Sequence, residues 1–252
     1  MKYAFAGDRQ ISYDILEFLI SKGFVPSVIM VTDGQNSTHS DQLIEMSKLP
    51  NQCIFRGKKE LQNENTIKFL KELELDYIIG IHYPYIISSE LIKIPKIGFL
   101  NLHPAYLPYN KGWNTPSWAI IDNTIYGATL HFMSEELDEG DIVHQKMIKT
   151  ESYDTANSLY QKVLKLEKEV FSEALESLIS LNPSRVAQKE AGTSHKKKDL
   201  EKIREFNLDD TIIIGEFLNK LRALTTNRND ELAFYKVGDK KIGVKVNFIE
   251  LD

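Results

Sequence analysis

The sequence predicts an α/β fold, with a mostly parallel sheet flanked by helices and a small C-terminal helix plus β-hairpin. Short apolar runs without polar alternation recur between Lys2 and Ile148, which is typical of strands covered on both faces. Segments with helical spacing separate these runs. This alternation is the order of β-α-β units, whose strands pair in parallel.

The first half of the chain shows the alternation most clearly. The apolar run at Lys2–Gly7 is too short for a secretory signal, so we interpret it as the first strand. The turn cluster at 33–37 separates the second strand from the next helix. The predicted strands are 2–7, 25–32, 53–55, 77–81 and 98–102, and the predicted helices are 11–20, 41–48 and 65–73.

The second half predicts strands at 126–133 and 142–148, a helical segment at 118–121, and a long helix over about 154–181. Asp154 or Thr155 is a suitable N-cap for this helix. Composition then turns polar, and Gly238-Asp239-Lys240 is a hairpin turn signal between 233–237 and 242–248. We expect a catalytic domain at 1–181, a linker at 182–208, and a C-terminal helix and β-hairpin within 209–252.

Composition limits the class of partner. The 252 residues carry 31 basic and 36 acidic side chains, a net charge of -5, which argues against a nucleic-acid partner. No apolar stretch approaches the ~20 residues of a membrane helix. Cys53 is the single cysteine, so an internal disulfide is excluded, and we expect a cytoplasmic enzyme.

The most informative stretch is Asn101-Leu102-His103-Pro104-Ala105-Tyr106-Leu107-Pro108. Sites in open parallel sheets lie beyond the carboxyl ends of the strands, and this stretch follows a predicted strand directly. Asn101 and His103 are two residues apart, so they share one face of an extended segment. The alternative is that both residues merely cap a turn.

A second stretch, Ser134–Asp141, places five carboxylates between two apolar runs. Such a loop is usually solvated. Asp138 and Gly140 nevertheless permit a tight turn. If that turn lies beside the end of the strand that leads into His103, Asp138 reaches His103.

Together, the two stretches resemble the formyltransferases that use N10-formyltetrahydrofolate, whose pattern is Asn-x-His-Pro-x-x-Leu-Pro followed by Leu-Asp-x-Gly. The resemblance covers residues 1 to about 180. It implies a Rossmann-like catalytic domain with a folate site beside the catalytic residues Asn101, His103 and Asp138.

This chemistry suits these residue types. In formyl transfer an amine attacks a carbonyl carbon, so Asn101 can stabilise the oxyanion and His103 can move the proton. Asp138 would orient the imidazole and favour its charged form. No metal is required. The remaining histidines show no ligand spacing, and we interpret His131 as a residue at the edge of the core.

The resemblance also implies ligand contacts. The expected donor-binding residues are His82, Tyr83, Pro84, Tyr85, Ile86, Leu137 and Asp141. The expected acceptor-binding residues are Asp8, Arg9, Gln10, Asn110 and Trp113. Ala6-Gly7-Asp8-Arg9 lacks the three glycines of a dinucleotide turn, but an arginine there can grip a phosphate; the alternative is a surface arginine.

Four features resemble bacterial nucleotide-sugar N-formyltransferases: Gly-Asp-Arg at 7–9, His-Tyr-Pro-Tyr at 82–85, Gly-Trp-Asn-Thr-Pro-Ser-Trp at 112–118, and the C-terminal hairpin. The resemblance implies a homodimer acting on dTDP-4-amino-4,6-dideoxyglucose, or next the 3-amino isomer, in lipopolysaccharide biosynthesis. A formyltetrahydrofolate hydrolase and a non-catalytic nucleotide-sugar sensor stay open as alternatives.

Overall fold

A computed structural model describes residues 1–251, with the exception of the side chain of Asn36. The strands are β1 (Tyr3–Gly7), β2 (Val28–Val31), β3 (Ile54–Arg56), β4 (Tyr77–Ile81), β5 (Gly98–His103), β6 (Lys111–Gly112), β7 (Tyr126–Phe132), β8 (Ile142–Ile148), β9 (Ser194–His195), β10 (Glu205–Phe206), β11 (Ala233–Val237) and β12 (Lys240–Val244). The helices are α1 (Gln10–Ser21), α2 (Ser40–Ser47), α3 (Gly57–Leu61), α4 (Glu64–Glu72), α5 (Ser89–Ile92), α6 (Thr115–Ile121), α7 (Ala156–Ile179), α8 (Lys197–Glu201) and α9 (Ile214–Ala223).

The chain divides into two compact units. The first comprises Met1–His103, Thr129–His144 and Glu167–Gln188, and the second comprises Pro104–Ala128, Gln145–Leu166 and the described residues from Lys189 onward.

A seven-stranded sheet, in the order β3-β2-β1-β4-β5-β7-β8, is the main element of the fold. The four pairs between β3 and β5 are parallel, and β5 pairs antiparallel with β7. Every residue of β1, β2 and β4 is buried, which is why their sequences are apolar without alternation. The predicted α/β class and its mostly parallel sheet are therefore confirmed.

The core of the first unit lies against the parallel strands. One cluster of buried side chains joins β1, β2, β4 and β5 to α3, α4 and α5; it contains Ala4, Ala6, Val28, Met30, Leu61, Ile67, Leu70, Leu75, Ile78, Leu91 and Phe99. Helix α1 also buries one apolar stripe, formed by Ile11, Ile15, Leu16 and Leu19.

The register of the central strands brings three polar residues to one edge of the sheet. Gly7 is paired with Ile81, and Ile81 with Leu102, so Asp8, His82 and His103 follow on adjacent strands. Ser12 ties two of these strand ends together, because its hydroxyl donates to the Ile81 carbonyl (2.6 Å) and accepts from the Asp8 amide (3.2 Å). A Cβ at Gly7 would lie 2.6 Å from Ser12 Cβ, so this approach requires glycine.

The segment 182–208, which we expected to be a linker, contains regular secondary structure. Residues 182–208 include β9, α8 and β10, and β10 pairs in parallel with β11 of the C-terminal hairpin. Leu200, Ile203 and Phe206 pack on a small apolar core with Leu221 and Ala233, although the segment is polar overall. Helix α9 begins at Ile214 rather than at 209, and the second hairpin strand ends at Val244 rather than at 248.

Within residues 1–251, no helix is both long enough and apolar enough to cross a bilayer.

Candidate active site

Strand β5 positions the first two candidate residues. Asn101 is partly buried and His103 is 6% exposed, at the carboxyl end of the strand. The antiparallel partner β7 places His131 opposite Asn101 and Thr129 opposite His103. An amide and two imidazoles therefore lie together at the same edge of the sheet.

Asp138 completes this cluster from the acidic turn after β7. Its Oδ2 lies 3.6 Å from His103 Nε2, and its Oδ1 lies 3.6 Å from His131 Nε2. The carboxylate is 9% exposed, so its attraction for an imidazole is weakly screened. The structure thus brings together Asn101, His103 and Asp138, the three residues that the sequence predicts to be catalytic.

A left-handed residue, a long-range hydrogen-bond partner and a glycine determine the shape of the acidic turn. Asp138 has a left-handed backbone, with φ at 55°. Gln188 Nε2 donates to the Asp138 carbonyl (2.8 Å) and to the Gly140 carbonyl (2.9 Å). A Cβ at Gly140 would lie 1.9 Å from the Phe132 carbonyl oxygen, so only glycine lets the turn close on β7. Sequence reasoning missed Gln188, because nothing in the polar 182–208 segment signals a partner near residue 138.

His131 has a larger role than a residue at the edge of the core. Its Nδ1 lies 2.8 Å from the Phe132 carbonyl, which can only accept, so Nδ1 carries the proton. Nε2 then accepts from Asn101 Nδ2 at 3.2 Å. This bond orients the Asn101 amide and leaves its second N–H for another acceptor. Only the pairing of β5 with β7 reveals this contact, and the sequence does not specify that pairing.

The buried environment keeps this histidine neutral. Burial lowers the pKa of His131 to about 4, even though the Asp138 carboxylate acts in the opposite direction. Near neutral pH, its Nε2 is therefore an acceptor for Asn101 and not a competing proton donor.

The expected donor-binding residues lie on the loops after β4 and β7. Ile86 is 87% exposed and Leu137 is 57% exposed. The Tyr83 hydroxyl is buried without a hydrogen-bond partner, and Tyr85 donates to Asp33 Oδ1 at 2.5 Å. Asp141 forms an ion pair with Arg185 at 3.7 Å.

The expected acceptor-binding residues of the first unit form a network. Asp8 is fully buried, and its carboxylate accepts from the Thr38 and His39 amides and from the Ser40 hydroxyl. Burial alone disfavours the charged form, but these hydrogen bonds outweigh it and hold the pKa of Asp8 below its usual value. Arg9 Nη1 donates to Asp8 Oδ2 at 2.7 Å. Asp8 thus anchors the Arg9 guanidinium from a buried position.

Gln10 and two residues of the second unit complete that set. Gln10 Nε2 donates to Asp14 Oδ1 at 2.7 Å. Asn110 is 1% exposed, and its amide donates to the Thr124 hydroxyl and the Ile125 carbonyl. Trp113 is 47% exposed, with Lys197 Nζ 5.6 Å from the ring centre. Of these three side chains, Asn110 is buried, whereas Gln10 and Trp113 are exposed.

No group of three or more histidine, cysteine, aspartate or glutamate residues in the described part of the chain is arranged to hold a metal ion.

The fold is of the α/β class, and the cluster brings together an amide, two imidazoles and a carboxylate, a set of groups that can donate hydrogen bonds and move protons. The family model described as formyl transferase matches residues 7–175, and that of the N-formyltransferase dimerization C-terminal domain matches residues 199–250. The chain therefore belongs to the formyltransferase family.

Relatives with stated activities are consistent with this membership. The dTDP-4-amino-4,6-dideoxyglucose formyltransferase of Mycobacterium tuberculosis is 30% identical over 171 residues, which cover 68% of this chain and 72% of that protein. A sugar N-formyltransferase from Shewanella sp. FDAARGOS_354 has the same fold, with a TM-score of 0.83, 21% identity, and coverage of 100% of this chain and 99% of the other.

A third relative was solved with ligands. The formyltransferase PseJ of Anoxybacillus kamchatkensis, in complex with UDP-4,6-dideoxy-4-formamido-L-AltNAc and tetrahydrofolate, is 25% identical to this chain. The TM-score is 0.57, and the match covers 80% of this chain and 89% of that one.

The buried neutral state of His131 predicts how stability depends on pH. Its pKa is about 4 when folded and 6.5 when unfolded, so the unfolded chain binds more protons between these values and stability falls as pH decreases. We expect the titration of His131 to lower the free energy of unfolding by about 2 kcal/mol as the pH falls from 7 to 5. Denaturant titrations at both pH values should show a smaller loss in His131→Gln. The same substitution at half-exposed His144 is the control, and an equal loss in both variants would contradict the assignment.

Proposed function

We propose that this protein transfers a formyl group from N10-formyltetrahydrofolate to the amino group of a dTDP-linked amino-dideoxy sugar. The observation that carries the proposal is the convergence of Asn101, His103 and Asp138 at one sheet edge in a member of the formyltransferase family.

The residues divide the chemistry among them. Bound N10-formyltetrahydrofolate supplies the formyl carbon that the acceptor amine attacks. Asn101 donates its second N–H to the formyl oxygen as negative charge develops there. His103 accepts the proton that the amine loses and returns one to the departing folate nitrogen as the carbon–nitrogen bond breaks. Asp138, 3.6 Å from the His103 ring, stabilises the positive charge that the ring carries between these two transfers.

The loops on either side of the cluster suit the formyl donor. A pterin presents flat apolar faces and a polar edge. Ile86 and Leu137 are exposed large apolar side chains on the loops after β4 and β7, and the Tyr83 hydroxyl lacks a hydrogen-bond partner. We assign donor binding to His82, Tyr83, Pro84, Tyr85, Ile86 and Leu137, with Asp141 holding its loop through Arg185.

For the acceptor, we assign Arg9 to the diphosphate, with Asp8 holding its guanidinium in place. Gln10, Asn110 and Trp113 complete the proposed acceptor-binding set, with Trp113 available for stacking. The named M. tuberculosis relative favours dTDP-4-amino-4,6-dideoxyglucose over the 3-amino isomer. The product would then enter lipopolysaccharide biosynthesis, and the cytoplasmic location stays a prediction.

The proposal is tested with N10-formyltetrahydrofolate and a panel of acceptors: dTDP-4-amino- and dTDP-3-amino-dideoxy sugars, a UDP-4-amino sugar, and methionyl-tRNA. Turnover is measured through the absorbance change of the folate. We expect the dTDP-4-amino sugar to give the fastest turnover. Formate release without any acceptor would indicate a hydrolase instead. Tight dTDP-sugar binding without turnover of any amine would indicate a sensor.

Substitutions in the cluster should separate chemistry from binding. We expect kcat to fall roughly 10²–10³-fold in Asn101→Ala and roughly 10²–10⁴-fold in His103→Ala, because each removes one transition-state interaction. Asp138→Ala should resemble His103→Ala. The affinity for the dTDP-sugar, measured by titration calorimetry, should change little. Full activity in His103→Ala would remove the proposed mechanism.

We also propose that the chain forms a homodimer through its C-terminal region. The matching family model is described as a dimerization domain, and the region exposes large apolar side chains that need cover. They include Leu208, Ile212, Ile213, Ile214, Val237, Ile242 and Ile249.

Two lysines at this surface should separate the protomers. We expect Ile213→Lys/Ile214→Lys to sediment as a monomer where the unmodified protein sediments as a dimer, because burying two unpaired charges is unfavourable. Val25→Lys, an exposed apolar position of the first unit, is the matched control. An unchanged sedimentation coefficient in the double variant would place the interface elsewhere.

A further inference from the structure

A buried hydrogen-bonded pair, Glu167 and His82, lies at the start of the loop after β4, and Glu167 has no part in the mechanism above. Glu167, on α7, is fully buried, and its Oε1 accepts from His82 Nε2 at 2.8 Å. Its second oxygen, Oε2, is buried without a hydrogen-bond partner. The His82 side chain is 11% exposed.

If position 167 served only to pack the core, a carboxylate there would be unfavourable. The neighbouring positions of α7 are buried and apolar, including Val170, Phe171 and Ala174. A leucine at 167 would continue that face, whereas a carboxylate loses its hydration and recovers one hydrogen bond. A local rule broken without a gain in stability points to a role in function.

What Glu167 provides is a restraint on His82, whose backbone lies in the left-handed region with φ at 47°. This conformation is uncommon for a non-glycine residue, although histidine adopts it more often than most, and contacts from the surrounding structure stabilise it. The hydrogen bond to Glu167 ties the His82 side chain to a helix and so restrains its backbone.

His82 begins the loop that leaves β4 next to the end of β5. Ile81 is paired with Leu102, so the loop leaves the sheet beside His103. Its far end is held by the Tyr85 hydroxyl, which donates to Asp33, while Tyr83 packs edge-to-face on Tyr85 at 5.2 Å. The loop is therefore anchored at both ends.

We propose that Glu167 is a positioning residue for the formyl donor. It holds His82 in the left-handed conformation and thereby shapes residues 82–86 into a preformed wall for the pterin. This inference rests on the proposed function, which assigns donor binding to the same loop.

The test compares Glu167→Leu and Glu167→Gln in the full-length protein. Steady-state kinetics gives KM for each substrate, and titration calorimetry gives Kd for tetrahydrofolate without turnover. We expect Glu167→Leu to raise the KM for the donor and the Kd for tetrahydrofolate at least about tenfold, the scale of losing one hydrogen bond to a charged group. The KM for the dTDP-sugar should stay within about twofold. Glu167→Gln should lie between, since its amide oxygen still accepts from His82.

The same helix offers a matched control. Glu173 pairs with His144 at the same 2.8 Å, but both side chains are substantially exposed. Glu173→Leu should leave both KM values unchanged.

Unchanged donor affinity in Glu167→Leu would overturn the inference. So would an equal loss of donor and acceptor affinity with a collapsed melting temperature, because that pattern shows a purely structural carboxylate. If the unmodified protein does not bind tetrahydrofolate, the proposed function fails and this inference fails with it. Binding that is intact in the unmodified protein and unchanged in both Glu167 variants overturns the inference alone.

Discussion

The register of β4, β5 and β7 is the constraint on which the site depends. Parallel pairing of β4 with β5 brings His82 and His103 to one edge, and antiparallel pairing of β5 with β7 places His131 opposite Asn101. A slip of one residue in either pair would turn Asn101 and His103 to the other face of the sheet. The buried, unalternating strands specify this register through packing on both faces.

The acidic turn depends on contacts from distant parts of the chain. Asp138 carries a charge into a site where it is 9% exposed, and the turn around it is held by Gln188 and by the close approach that Gly140 permits. Without these contacts, the carboxylates of 134–141 would repel one another and remain in solvent. Two neutral residues, Gln188 and Gly140, therefore hold the turn that brings the Asp138 carboxylate to His103 and His131.

Three histidines at this sheet edge have different environments and therefore different roles. His103 faces Asp138 and suits proton transfer. His131 is fully buried, neutral, and oriented by the Phe132 carbonyl, so it holds the Asn101 amide. His82 is tied to Glu167 and restrains a loop. In the proposed mechanism, the same type of side chain thus serves as an acid–base group, as a hydrogen-bond acceptor and as an anchor, and burial and the nearest partner decide which.

The sequence by itself determined the α/β class and most strand and helix positions, because periodicity carries that information. Helix α7 and strand β8 fall close to their predicted bounds for this reason. The sequence also predicted Asn101, His103 and Asp138 as catalytic candidates, through the resemblance of two short motifs to a known family. Only the tertiary structure decided the position of His131 beside Asn101, the burial of Asp8, the hold of Gln188 on the turn, and the regular structure within 182–208. Each of these depends on a contact between residues far apart in the chain, and local composition does not encode such contacts.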